Sequence, residues 1–348
     1  MKAVSTNKAK RPASIGEVAA AAGVAKATVS RVVNGTAHVR EPARRRVEEA
    51  IRALDYRPSQ IARALSRGRT MRVGVVAPFF TEPSAVLLLR GADECLTASG
   101  YDIVLYNVGR PEQILEQFRN LADGRPDGVL VMAMPPPEQE LKRLLNSGVP
   151  VVLANFRHSS VTHTYIDNVA GGYMATKHLV ELGHRRIAFV GDPSENPYGF
   201  TSSVDRCRGF RSAMSDFHLP VPDEYVKEGH HARHVAHRLT TELLELPEPP
   251  TAVVTAGDVL ALGVLEAAEN YGVDVPRRLS VIGFDDIEVA AYVGLTTIRV
   301  PFVLMAKRGA ELLLEACAAQ PLPVVPVAEQ MPLELIVRKS TAPPSPRP

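Results

Sequence analysis

From residue 72 onward the chain alternates short apolar runs with longer amphipathic stretches, and this alternation leaves few architectures open. The runs RVGVVAP (72–78), DIVLYN (102–107), DGVLVMA (127–133), PVVLAN (150–155), RIAFVG (186–191), TAVVTAG (251–257) and LSVIGFDD (279–286) are rich in β-branched residues and apolar at successive positions. Helical periodicity fills most of the gaps, at 84–98, 112–122, 138–147, 169–182, 204–217 and 258–271. Strands apolar on both faces must be covered on both faces, which is the situation of parallel sheets joined by crossover helices. About ten strands exceed one such sheet, so the pattern predicts an α/β core of two doubly wound parallel-sheet subdomains. Ligands of such sheets sit beyond the carboxyl ends of the strands, where two subdomains can close over them.

The first 72 residues differ in composition. They hold 16 Lys/Arg against 5 Asp/Glu, a balance of +11, and the rest of the chain carries −9, so the net charge of +2 conceals a basic head on an acidic body. Clustered cations gain affinity for a polyanion by releasing its condensed counterions, which points to nucleic acid; a solvated basic face is the alternative reading.

The head also has the periodicity of three short helices. In SIGEVAAAA (14–22), Ser14 and Glu17 form a capping-box pattern and Ile15, Val18, Ala19 and Ala22 share a face. Gly23 supplies a left-handed stop. AKATVSRVV (25–33) restarts the period with Val29, Val32 and Val33 inward, and Asn34-Gly35 ends it. Pro42 suits the first turn of a third helix, with Val47, Ile51 and Leu54 as its apolar stripe. Two short helices around a tight turn, closed by a third, predict a small all-α helix-turn-helix domain whose second helix enters the major groove. Its outward residues are Lys26, Ala27, Ser30 and Arg31. Arg31 is the candidate for bidentate guanine reading, with a phosphate contact as the alternative for either cation. The segment SQIARALS (59–66) is too short to hold a helix alone in water. It is read either as a flexible linker or as a hinge that folds when two copies pack on DNA, with Leu65 wedged between base steps.

The stretch IGEVAAAAGVAKATVSRVVNGTAHV resembles the DNA-binding head of the lactose-repressor (LacI) family, and DYRPSQIARALSRGRT resembles that family's linker and hinge helix. In the body, IDNVAGGYMATKHLVELGHRRIAFVGD (166–192), RCRGFRSAM (206–214) and the block from Thr251 to Pro301 resemble its periplasmic-sugar-binding-like core. The resemblance implies base-reading positions at Lys26, Ala27 and Arg31, and supporting or backbone contacts at Thr28, Ser30 and Asn34. It also adds His38 to the DNA-binding set and implies a minor-groove wedge at Leu65, one turn after Ala62. The expected partners are double-stranded operator DNA, a second copy of the chain and a small-molecule effector, a sugar or sugar derivative. The homodimer would meet through helix 84–98 and the region 260–295.

Strand-end polar residues are the effector candidates. They comprise Asn155, Arg206, Asp258 and Asp285, with Asp286 beside them, and aromatic partners drawn from Phe79, Phe80, Tyr198 and Phe200. Arg and Asp converging in a cleft can bind sugar hydroxyls through charge-assisted hydrogen bonds. By resemblance Arg206 and Asp285 match the family's typical effector ligands. The structural alternatives are a cap or turn for Asp285 and an interdomain ion pair for Arg206. Several positions depart from the family pattern. Ala25 stands where Ser or Thr usually caps the second helix, Asn155 where many members have Asp, and Gly257 where many have Asn, while TEPSA (81–85) replaces Asn-Pro-Phe-Phe. The loop NPYGFTSSVDR (196–206) resembles that of members sensing glucosides or maltose-type sugars. His230, His231, His234 and His237 crowd one stretch and are read as a solvated helix face in preference to a zinc site.

The expected layout is a disordered basic arm (1–12), the helix-turn-helix (13–57), hinge and linker (58–70), core (71–339) and a disordered Pro-rich tail (340–348). Within the core, residues 71–168 and 299–328 are assigned to one subdomain and 169–298 and 329–339 to the other. No signal-type apolar segment follows the basic N-terminus, and the three cysteines have no metal or disulfide spacing, so a cytoplasmic protein with reduced thiols is expected. No cofactor and no enzymatic activity are expected, because neither G-x-G-x-x-G nor a P-loop is present. A transport-type sugar-binding protein and a Rossmann-type enzyme are the rival functions, the first opposed by the head and the second by the missing motifs.

Overall fold

The structure is a computed structural model that describes residues 13–34, 39–56, 69–319 and 325–345. It divides into two compact units, one ending at Met71 and the other beginning at Arg72.

In the first unit, α1 (Ile15–Ala22), α2 (Lys26–Asn34) and α3 (Glu41–Ala53) enclose Val18, Ala19, Ala22, Val29, Val47, Ala50 and Tyr56. The predicted capping box forms: Ser14 N–H donates to the Glu17 carboxylate at 2.6 Å and Glu17 N–H donates to the Ser14 hydroxyl at 3.3 Å. Gly23 closes α1 in the left-handed region at φ 62°, where a side chain would be strained. Leu54, expected in the core, is exposed; Ala50 and Tyr56 take its place, because α3 ends at Ala53 and the chain turns Tyr56 back inward.

The second unit holds two six-stranded sheets. The first runs β11-β5-β4-β3-β1-β2, with β1 Arg72–Pro78, β2 Asp102–Val108, β3 Gly128–Met132, β4 Val151–Ala154, β5 Thr162–Tyr165 and β11 Ala328–Gln330. The second runs β12-β10-β9-β8-β6-β7, with β6 Ile187–Gly191, β7 Val226–Glu228, β8 Ala252–Thr255, β9 Ser280–Asp285, β10 Thr296–Arg299 and β12 Glu334–Ile336. All neighbours are parallel except β10 and β12. The central strands are buried at every position of β3, β4, β6 and β8, whereas edge strand β2 is fully buried only at its last residue, Val108. This is the two-sheet doubly wound core that the apolar runs predict.

Two features correct the expected layout. β11 pairs in register with β5, Glu329 opposite Thr164 and Gln330 opposite Tyr165, so the last return to the second sheet follows Gln330 rather than residue 328. The start of the tail is packed, not disordered. Ser340 is buried and its hydroxyl donates to the Val281 carbonyl at 2.6 Å and accepts from Thr296 N–H at 2.8 Å. His184 Nε2 lies 2.9 Å from the Ala342 carbonyl. Hydroxyls that satisfy buried backbone groups bind the tail, a role its composition alone does not reveal. Residues 346–348 and 1–12 lie outside the described residues.

Candidate functional site

On the head, Lys26, Ala27 and Arg31 are exposed, Thr28 and Ser30 are half-buried, Asn34 ends α2, and Val29 lies fully buried beneath. One α2 surface therefore combines a cation at each end with small residues between, a shape that lets a helix approach base edges closely. Ala25 leaves α2 without a side-chain cap; its carbonyl accepts the N–H groups of Thr28 at 2.9 Å and Val29 at 3.3 Å. His38, Ala62 and Leu65 lie outside the described residues.

In the body, the carboxyl ends of strands from both sheets border a cavity of ≈ 710 Å³. Phe79, Ala133, Asn155 and Asp285 all line it, and all have positive φ (43°, 55°, 62° and 112°). Such backbone is strained by roughly 1–3 kcal/mol per residue and gathers at ligand clamps.

The polar end of the cavity is built around Arg206 on α8 (Ser202–Asp216). This helix lies against α7 (Asn168–Glu181) with backbone almost touching backbone. A Cβ on Gly172 would meet the Arg206 carbonyl at 2.1 Å, and one on Gly209 the Val169 carbonyl at 2.0 Å. The close approach sets Arg206 in place. Its Nε donates to Asn168 Oδ1 at 2.9 Å, a terminal nitrogen donates to the Ala256 carbonyl, and the guanidinium lies 3.6 Å from the centre of the Phe284 ring. Asp285 Oδ1 is 3.4 Å away. Burial lowers the Arg206 pKa and raises that of Asp285, while their mutual attraction works the other way.

The apolar end comes from the loop after β6. Asn196 braces it, donating to the Phe200 carbonyl at 2.8 Å and accepting Phe200 N–H at 2.9 Å. Tyr198 and Phe200 stack with centroids 5.1 Å apart, and Phe79 meets Tyr198 edge-on at 5.0 Å. Tyr198 O–H donates to the Gly109 carbonyl at 3.2 Å, so a loop of the second sheet rests on the core of the first. The cavity thus offers charged hydrogen-bonding groups and aromatic faces together, the combination that holds a polyhydroxylated ring.

Arg206, Asp285, Asn155, Tyr198 and Phe200 are therefore brought to one cavity. Two other candidates are not. Phe80 does not line the cavity; Phe79 does, since the turn after β1 aims it inward. Asp258, the first residue of α10 (Asp258–Asn270), is fully buried. Its carboxylate accepts from the Thr297 hydroxyl at 2.6 Å and Ile287 N–H at 2.9 Å, so it fastens α10 to β10 and the β9 loop instead of facing a ligand. Asp286 turns away into ion pairs with Arg299 and Arg338. Among the lining residues that were not effector candidates in sequence are Asp192 and His231, whose side chains pair at 3.1 Å. Asp192 follows β6 directly, so the strand-end rule that selected Asn155 could have found it. His230 and His231 precede α9 (Arg233–Leu244) rather than lying on its face.

Burial, reinforced by the Asp285 charge, pushes Asp258 up to about 8. Its unfolded value is about 4, so the folded chain holds an extra proton between these values and stability falls as pH rises through that window. An Asn at 258 keeps the shape and can donate to Thr297. The melting temperature of Asp258→Asn relative to the parent should therefore climb between about pH 5 and about pH 8.5. A difference that stays constant across the range would contradict the assignment.

Residues 14–59 match bacterial regulatory proteins of the lacI family, and residues 176–341 match the periplasmic binding protein-like domain. Catabolite control protein A of Priestia megaterium is 35% identical over 280 residues, covering 80% of this chain and 83% of that protein. The HTH-type transcriptional repressor PurR of Vibrio parahaemolyticus is 35% identical over 310 residues, covering 87% and 91%. The chain belongs to the LacI family of bacterial regulatory proteins. Among solved structures, the lac repressor dimer bound to operator and the anti-inducer ONPF superposes on this LacI-family chain with a TM-score of 0.84 at 26% identity, covering 95% of this chain and all of that one. The transcriptional regulator CelR–cellobiose complex gives 0.69 at 30% identity over the same share of this chain. No helix among the described residues is long and apolar enough to cross a membrane.

Proposed function

We propose that this LacI-family chain is a homodimeric transcriptional repressor whose operator affinity is set by a small sugar-like effector bound between the two sheets. The observation that carries the reading is the joining of two parts in one chain: a folded helix-turn-helix exposing Lys26 and Arg31, and a cleft joining the Arg206–Asp285 pair to an aromatic face. A two-fold dimer matches two operator half-sites about one helical turn apart. Val86 on α4 (Pro83–Ala98), with Tyr292 and Val293 near β10, stands exposed on the elements assigned to the dimer contact. An effector that prefers one degree of cleft closure shifts operator affinity by its differential affinity for the two states. The chain acts in the cytoplasm, where the operator is, and by binding rather than by catalysis.

The test is fluorescence anisotropy of the full chain on the promoter region of its own gene and on random duplex, with and without cellobiose or ribose. Preference for the promoter, altered by a sugar, supports the reading; equal binding to both duplexes sinks it. In the same assay Leu65→Ala, which removes the proposed wedge, should weaken promoter binding far more than random-duplex binding.

A further inference from the structure

Resting on the effector cleft proposed above, we infer that this chain takes up a proton with its effector, through a His231–Asp192 pair that occupies the space left by the missing side chain at Gly257. Gly257 has φ −169° and ψ 158°, an extended backbone open to any residue. Its glycine is needed for room. A Cβ there would come within 2.8 Å of His231 Cε1 and 3.4 Å of Nε2. The imidazole thus covers the position from which many family members extend an Asn.

Asp192 orients the ring. His231 Nδ1 lies 3.1 Å and 3.3 Å from the two carboxylate oxygens, and hydrogen bonding to a carboxylate puts a proton on Nδ1. Nε2 has no hydrogen-bond partner among the described residues, and the ring lines the cavity. With Nδ1–H committed, a neutral ring can only accept at Nε2, whereas the imidazolium donates there. The charged groups around the ring are Asp192, Asp285 and Arg206. Burial and Arg206 oppose the imidazolium, yet the hydrogen bond and charge of Asp192 and the charge of Asp285 outweigh them and hold His231 above its ordinary pKa. His230 lines the same cavity beside it.

The ligand that suits this wall is an uncharged polyol presenting an acceptor oxygen to Nε2. A phosphate or carboxylate in that place would face Asp192 and Asp285. Binding then draws a proton onto His231 near neutral pH and weakens as the solution becomes alkaline.

The test is titration calorimetry of the full chain with cellobiose, D-glucose and D-ribose, and with glucose 6-phosphate as the anionic counterpart. Two buffers of different ionisation enthalpy report protons taken up. A neutral sugar should bind with net proton uptake near pH 7 and about fivefold more weakly at about pH 8.5, where the neutral ring no longer donates at Nε2. His231→Gln and Asp192→Asn should remove the uptake and flatten the pH dependence. Gly257→Asn should lose binding by displacing the imidazole, and Gly257→Asn with His231→Ala should regain it without proton linkage. Wild-type binding with no proton uptake, uptake that survives His231→Gln, preference for the phosphate, or no binding by any neutral sugar would each overturn the inference. Promoter preference measured on the same preparation separates that failure from failure of the regulator reading.

Discussion

Replacing Arg206 by Met is expected to destabilise the body by about 3–5 kcal/mol and to leave operator binding unresponsive to any sugar. Arg206 is buried, and so is most of Asp285 beside it. Removing the guanidinium strands a carboxylate in low dielectric, frees Asn168 Oδ1 and the Ala256 carbonyl, and takes the cation off the Phe284 ring. Loss of a partner is more damaging than loss of a whole pair. Arg206→Met with Asp285→Asn should therefore recover much of the stability, read by urea denaturation, while leaving the sugar response absent. Recovery of both would show that the pair is only a structural strut. A single variant as stable as the parent would show that the guanidinium is solvated rather than buried.

The contrast between Arg206 and Asp258 marks how far the cleft is legible in sequence. Both are charged residues near the start of α-helices that follow strands, and a linear reading treats them alike. What separates them is depth. Arg206 reaches the cavity because glycines at 172 and 209 let α7 and α8 nearly touch. Asp258 instead meets Thr297 and Ile287, partners 39 and 29 residues away. Local patterns carried the fold well, since strand alternation, the Ser14–Glu17 box and the Gly23 stop are all effects of near neighbours. They failed where distant groups decide the outcome. Ser340 is held by Val281 and Thr296, and His231 is meaningful only against Asp192 and the empty side of Gly257. In sequence that histidine is one of four in a crowded stretch, and no periodicity distinguishes it.

A single carboxylate at position 29 is expected to abolish promoter recognition while leaving the body's unfolding transition in place. Val29 is fully buried in the head, and the core around it is drawn only from residues 13–56. So small a core has little stability to spare. An unpaired charge in it costs several kcal/mol, enough to unfold the head in most molecules. Affinity falls in proportion to the folded fraction, so a head left unstable by about 1.4 kcal/mol binds the promoter about tenfold more weakly, with a further tenfold for each additional ~1.4 kcal/mol. The body's core is built from its own two sheets, so calorimetry of Val29→Asp should retain the high-temperature transition and the sugar-dependent shift. Arg31→Ala is the necessary counterpart. Arg31 is exposed, so its removal leaves the head folded, and if it reads a guanine the loss is about 1–3 kcal/mol on the promoter and less on random duplex. If it touches only phosphate, both duplexes lose equally and the salt dependence becomes shallower. Promoter binding that survives Val29→Asp would mean that the recognition surface is not α2, since no helix can present Lys26 and Arg31 to a groove once the residue anchoring its buried face has been turned toward water.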